Sequence, residues 1–156
     1  MDWYNGYSPQ ERERAGRAIA RARARGELQP GSACMLCGDP SATLDLHSED
    51  YSEPYRFMPP AAYWVCLACH RSHLHKRFEK PEAWTAFLAH VRRGGYASDL
   101  RTPAIKREVK AFEAAHATNQ PAALAAIRPF QPREPWWERL SVDKASKHDP
   151  AARLRP

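Results

Sequence analysis

The sequence predicts an α+β fold, mostly helical by residue count, with a small metal-stapled core between flanking helices. The four cysteines form two CxxC pairs, Cys34 with Cys37 and Cys66 with Cys69. Two thiolates three positions apart on a tight turn can hold Zn²⁺ from one side, and a second such turn completes the tetrahedron. Strand-like segments lie between the pairs, and helical patterns lie on both sides. The segment of residues 34–69 is too short to bury a self-sufficient core. We therefore expect a structural Zn²⁺ to supply the missing stability.

Residues 1–29 are predicted to form a lead-in and an arginine-rich helix. Ser8 is a good N-cap, Pro9 suits the first helical position and Glu11 completes a capping box. Gly26 is expected to end the helix. Arginines recur there at spacings of three and four, so they share one face of the helix. That face is either exposed to solvent beside acidic counter-charges or bound to a phosphate backbone. We favour the phosphate interpretation for Arg14, Arg17, Arg21 and Arg25.

Residues 30–80 are predicted to form the metal-stapled core. Residues 42–47 alternate apolar with small or polar side chains, as a short strand does, and residues 63–65 have strand composition. The prolines between these segments indicate an irregular loop. A helix is expected to begin at residue 66 or 67 and to carry His70 and His73.

Residues 81–128 are predicted to form a helical extension. Pro81 opens a helix that ends at Gly94 and Gly95, and Thr102 with Pro103 starts the next one. The first of these helices has one apolar face at spacings of three and four. Its members are Trp84, Phe87, Leu88 and Val91.

Residues 129–156 are predicted to be a proline-rich, largely disordered tail. Its exception is the pair Trp136 and Trp137, which we expect to dock on the protein's own surface or on a protein partner.

The net charge of +6 and the pI of about 9.4 predict a polyanionic partner, with nucleic acid as the first candidate. No stretch approaches the ~18–20 apolar residues of a membrane span, and the first residues lack the pattern of a signal peptide. Cysteine pairs without such a signal are typical of metal ligands in a reducing compartment. We therefore expect a cytoplasmic protein with no membrane partner.

Two further groups accompany the cysteine pairs. Between the pairs lies His47-Ser48-Glu49-Asp50-Tyr51-x-x-Pro54, and His70 directly follows Cys69. Together these residues resemble the HNH endonuclease superfamily in its phage and mobile-element form. That pattern encloses His-His-x-Asp-Tyr-x-x-Pro between two cysteine knuckles and continues with Cys-His-x-x-x-His. The resemblance covers positions 34–78, roughly a quarter to a third of the chain, and implies a ββα-metal core.

The resemblance implies a metal-dependent DNA endonuclease, in which a hairpin and a helix hold one divalent cation and a histidine acts as general base. By position, His47 and His70 would be ligands of a catalytic Mg²⁺, Mn²⁺, Ni²⁺ or Zn²⁺. Asp50 would belong to the catalytic segment. The basic run after the second knuckle would contact phosphate through Arg71, Lys76 and Arg77.

The chain departs from the family pattern first at Ser48, where the pattern has its second histidine. A serine cannot act as a general base near neutral pH. Either His47 is itself the base, with Asp45, Glu49 or Asp50 assisting at the metal, or hydrolysis is impaired. An impaired relative would be a zinc module that binds nucleic acid or a protein assembly without cleavage.

The second departure is at Leu74, where the pattern has its last histidine. His73 shares a helical face with His70 and is the favoured ligand if the helix continues. His75 is the ligand if the helix has unwound. Another histidine, His90, is interpreted as a helix-surface residue. The remaining alternative function is a zinc-ribbon protein adaptor that binds through Trp136 and Trp137.

Overall fold

The computed structural model describes residues 3–101 and 135–142, together with a few positions between 103 and 118. These residues form an α+β structure with one two-stranded antiparallel sheet, which confirms the α+β part of the expected fold class. Of the helix expected from Thr102, only scattered positions are described, and those at 103, 106, 107, 110, 111 and 114 are helical. Most of the predicted tail lies outside the described residues. None of the helices in the described part of the chain has the length and apolar character needed to cross a bilayer.

Helix α1 spans Pro9–Ala24 and begins as its sequence predicts. The Ser8 hydroxyl accepts a hydrogen bond from the Glu11 amide, and the Glu11 carboxylate accepts one from the Ser8 amide. This reciprocal pairing satisfies two amides that the first helical turn leaves without partners. Gly26 adopts φ +73° just beyond the helix, a conformation that glycine adopts without strain. Only alanines of α1 are buried, and they form one narrow stripe of Ala15, Ala18 and Ala22.

Strands β1 (Leu44–Ser48) and β2 (Ala62–Cys66) form the sheet. The register pairs Asp45 with Val65 and His47 with Tyr63. Because side chains alternate between the two faces of a strand, Asp45 and His47 lie on one face, whereas Ser48 lies on the other.

After β2 the chain forms a π-helix over Cys69–Leu74, where an α-helix was expected. The His75 amide donates to the carbonyl of His70, five residues earlier. On an α-helix, residues five apart point about 140° away from each other, but π winding brings them close to alignment. Both Cys69 and Leu74 are fully buried, so the wider winding turns both side chains into the core.

Helix α2 (Pro81–Arg92) packs against this core through the predicted apolar face. All four members of that face are buried: Trp84, Phe87, Leu88 and Val91. Short 3₁₀ helices follow at Ala97–Arg101 and Trp136–Arg139. His90 of α2 is buried as well, with 1 % of its surface exposed, so the expectation of a helix-surface residue is wrong. Its Nε2 atom lies 3.1 Å from the carbonyl oxygen of Tyr96 and 3.3 Å from the Asp99 carboxylate.

Candidate metal centres

The two CxxC pairs converge on one buried cluster of four free thiols. The Sγ atoms of Cys34 and Cys69 are 3.7 Å apart, and those of Cys37 and Cys66 are 4.0 Å apart. A tetrahedral site with Zn–S bonds of about 2.3 Å has edges of about 3.8 Å, whereas a disulfide would bring two sulfurs to about 2.05 Å. The cluster therefore has the dimensions of a tetrahedral metal site.

Backbone amides support these sulfurs. The amides of Cys37 and Cys66 both donate to Cys34 Sγ, and the amide of Cys69 donates to Cys66 Sγ. Hydrogen bonds of this kind favour the thiolate that binds metal. Hydrogen bonds from the neighbouring thiols, that of Cys37 above all, hold the pKa of Cys34 well below its usual range.

A second group joins β1 to the π-helix. One ring nitrogen from each of His47, His70 and His75 lies within 4.8 Å of the others. The Nε2 atoms of His70 and His75 face each other at 2.9 Å. The π winding causes this approach, because it aligns residues five apart. Within the described residues, these three histidines and the four cysteines are the only clusters of metal-ligating side chains of this kind.

Two of the three histidines have a carboxylate on one ring nitrogen. Asp45 Oδ2 lies 3.1 Å from His70 Nδ1, and Glu49 Oε1 lies 2.5 Å from His47 Nε2. A carboxylate in this position holds the ring and its proton, and leaves the other nitrogen available as a metal ligand. The opposite nitrogen of His47, Nδ1, is buried and has no hydrogen-bond partner among the described residues. A buried ring nitrogen without a hydrogen-bond partner is available as a metal ligand, so the donor set fits a metal.

The electrostatic setting keeps the imidazoles of His70 and His75 neutral. Burial, followed by the influence of His47, lowers the pKa of His70 to about 4. The same causes, with His70 added, lower the pKa of His75 to about 3. Since only a neutral imidazole binds metal, these two rings are ready to act as ligands at neutral pH.

His73 does not join this group. Its ring stacks on Phe87 with 3.7 Å between centroids and 6° between planes. An α-helix would have placed His73 beside His70, but π winding gives that place to His75 instead.

The Asp50 carboxylate forms its hydrogen bonds within the loop after β1 and with Tyr7, not with the histidine group. One of its oxygens accepts hydrogen bonds from the Tyr7 hydroxyl and from the amide and hydroxyl of Ser52, and the other accepts one from Arg56. The carboxylate thus fixes the start of the loop between β1 and β2. Ser48 is buried on the sheet face opposite His47.

The predicted phosphate contacts differ in their surroundings. Arg71 and Lys76 are exposed beside the π-helix, but Arg77 has only 1 % of its surface exposed and does not reach solvent. On α1 the predicted arginines are all exposed. Two of these have acidic neighbours, since Arg17 pairs with Glu13 and Arg25 with Glu27. The full set is Arg14, Arg17, Arg21 and Arg25.

Trp136 and Trp137 dock on the protein itself. Trp136 stacks on Tyr63 at 3.6 Å, and its indole donates to the carbonyl of Met35 in the first cysteine knuckle. Both rings are buried. A protein partner could therefore use this pair only after it had left the core.

Sequence reasoning missed the part played by Tyr4 and Asn5. Tyr4 packs against His75 with ring centroids 4.9 Å apart, and its hydroxyl donates to Glu49. Asn5 also donates to the Glu49 carboxylate. No local pattern marks such contacts, which span more than forty residues. For Asp45 a signal was present, since it alternates with His47 along one face of β1. Glu49 continues the same spacing just after β1 ends.

Searches of protein-family models, curated proteins and solved structures find no match to this chain.

Proposed function

We propose that this protein is a metal-dependent endonuclease of the HNH type, which hydrolyses DNA phosphodiester bonds. The observation that carries the proposal is the convergence of His47, His70 and His75 from a β-hairpin and the helix that follows it. In this proposal the four cysteines hold a structural Zn²⁺, and the three histidines hold a second divalent cation.

A divalent cation at the histidine group would polarise the scissile phosphate and stabilise the charge on the leaving oxygen. His47, His70 and His75 bind it, while Asp45 and Glu49 hold the first two rings in orientation. Three imidazole ligands favour Zn²⁺, Ni²⁺ or Mn²⁺ over Mg²⁺, which prefers oxygen ligands. Arg71, Lys76 and the exposed arginines of α1 would supply cationic contacts to the DNA backbone.

The basic surface contributes affinity without sequence preference. Removing one arginine–phosphate contact should lower the slope of log affinity against log salt by about one. We expect single Arg→Ala variants on the exposed face of α1 to flatten this salt dependence when DNA binding is titrated at several salt concentrations. A slope unchanged in all four variants would exclude α1 from the DNA interface.

A second candidate function is nucleic-acid binding without cleavage, and the position of Ser48 favours it. Ser48 replaces the family's second histidine and lies on the sheet face opposite His47. The carboxylates considered as substitutes, Glu49 and Asp50, are engaged in hydrogen bonds. On this reading the histidine group is a structural metal site.

Plasmid cleavage, scanned across divalent metals, separates the two functions. The nuclease reading predicts cutting that is lost in His47→Ala, His70→Ala and His75→Ala. His73→Ala is the matched control, because His73 lies on the same short helix but stacks on Phe87. It should retain cleavage. Bound zinc is measured in every variant to show that the cysteine site remains intact.

Intact plasmid with every metal, from a wild-type protein that binds DNA and carries zinc, would establish the binding-only function. Cleavage lost equally in His73→Ala and His75→Ala would contradict the proposed ligand set. Replacement of Zn²⁺ by Co²⁺ tests the cysteine site independently, since tetrahedral thiolate ligation gives intense absorption that Cys66→Ser should weaken.

A further inference from the structure

A largely buried ion pair between Arg77 and Glu49 adjoins His47, because the Glu49 carboxylate also contacts the His47 ring. The Nη2 atom of Arg77 is 3.2 Å from Glu49 Oε2, and the two side chains are 1 % and 14 % exposed. Withdrawing both charges from water is costly unless nearly all of their hydrogen-bonding capacity is used.

All five N–H donors of the Arg77 guanidinium have partners. Its Nε donates to the carbonyl of Ser141, Nη1 donates to the carbonyl of Leu74 and the hydroxyl of Tyr4, and Nη2 donates to Asn5 and Glu49. These partners come from the N-terminal lead-in, the residue after β1, the end of the π-helix and the segment after Trp137. Arg77 is therefore fixed by four parts of the chain, three of which lie far from it in sequence.

The Glu49 carboxylate is equally occupied. Oε2 accepts hydrogen bonds from Arg77 and Asn5, while Oε1 accepts one from the Tyr4 hydroxyl and contacts His47 Nε2. An ionised carboxylate offers about four acceptor positions and no donor. Since all four are filled, Glu49 has no lone pair left for a metal or for a proton from water.

The contact between Glu49 and His47 fixes which ring nitrogen carries the proton. An ionised carboxylate can only accept, so Nε2 must be the donor. When the ring carries a single proton, that proton therefore resides on Nε2, and Nδ1 keeps its lone pair. Nδ1 is the buried atom without a hydrogen-bond partner among the described residues.

We infer that Glu49, held in place by Arg77, is a positioning residue that keeps the proton of His47 on Nε2 and presents Nδ1 as the metal-binding nitrogen. The ligand part of this inference rests on the proposed metal site. The proton position does not, because it follows from contacts within the protein alone.

Glu49→Gln provides a sharp test because Arg77 can only donate hydrogen bonds. The glutamine carbonyl oxygen must face Arg77, which turns the amide NH₂ towards His47. The ring then has to accept at Nε2, so its proton moves to Nδ1. Tyr4→Phe is the control, since it removes a hydroxyl that contacts Glu49, Arg77 and, at 3.4 Å, His47 Nε2, and leaves the carboxylate in place.

The measurement is ¹⁵N NMR of the imidazole rings in the full chain at pH 7.5, with zinc at the cysteine site and no second metal added. We expect wild-type protein and Tyr4→Phe to show His47 protonated on Nε2, and Glu49→Gln to show it protonated on Nδ1. Zn²⁺ or Ni²⁺ titrated to the histidine group should bind about 10- to 100-fold more weakly to Glu49→Gln than to wild type.

A wild-type spectrum with the His47 proton mainly on Nδ1 would overturn the inference even if Glu49→Gln failed to fold. The inference would also be overturned if Glu49→Gln folds and the His47 proton remains on Nε2. Absence of plasmid cleavage together with the expected proton positions would refute the nuclease proposal and leave this inference standing.

Discussion

The Nε2 atoms of His70 and His75 face each other across 2.9 Å because the two residues are separated by one turn of π-helix. The same winding points Cys69 and Leu74 into the core. One irregular turn thus contributes to both candidate metal centres, supplying a cysteine to one and two histidines to the other. π-Bulges occur frequently at functional sites.

Asp45→Asn should weaken metal binding at the histidine group without removing a ligand. Asp45 holds His70 Nδ1, and loss of such a carboxylate costs about 10- to 100-fold in metal affinity. Isothermal titration of Zn²⁺ into protein that already carries zinc at the cysteine site measures this change. Arg23→Gln is the control, because Arg23 contacts the other oxygen of Asp45. A tenfold loss in the control and none in Asp45→Asn would contradict this role.

Gly95→Ala should destabilise the protein severely. A Cβ atom at Gly95 would lie 2.2 Å from two atoms of the buried His90 ring, so the ring or the backbone must move. Overpacking of this kind costs about 1–3 kcal/mol. Urea unfolding of the variant measures the loss. Gly16→Ala in α1, which meets nothing within 4 Å, should instead raise the free energy of unfolding by about 0.5–1 kcal/mol.

Trp136→Ala should lower the free energy of unfolding by about 3–5 kcal/mol, as expected for removal of a large buried aromatic side chain. The indole stacks on Tyr63 and donates to Met35. Trp136→Phe keeps a stacked ring and loses only the hydrogen bond, so it should cost about 1–2 kcal/mol. Chemical denaturation followed by circular dichroism gives both values. An unchanged stability in Trp136→Ala would show that the tryptophan is dispensable to the fold.

Acid should destabilise the protein in part through His73. Burial and the neighbouring His90 lower the pKa of His73 to about 4, against 6.5 in the unfolded chain. Between these values the unfolded state binds more protons, so stability falls as the pH drops below about 6.5. His73→Phe keeps an aromatic ring on Phe87 and removes the titration. Its free energy of unfolding should fall less than that of wild type between pH 7.0 and 5.5. Equal slopes for the two proteins would contradict this assignment.

Local signals determine several elements from the sequence alone. Ser8 and Glu11 start α1 because capping depends on residues three apart, and the spacing of Trp84, Phe87, Leu88 and Val91 defines the buried face of α2 because helix periodicity is local. The two CxxC pairs similarly indicate one cluster, since four sulfurs on two tight turns can complete a tetrahedron.

The tertiary structure alone decided which histidines converge and what surrounds them. His75 takes the place expected for His73 because the chain winds as a π-helix there, with both Cys69 and Leu74 buried, and no helical periodicity in the sequence indicates that winding. Arg77, basic and next to Lys76, looks like a surface residue, yet it lies in the core because Tyr4, Glu49 and Ser141 converge on it from distant parts of the chain. A sequence specifies its short-range geometry residue by residue, whereas such buried charge networks exist only once segments separated by many residues have packed together.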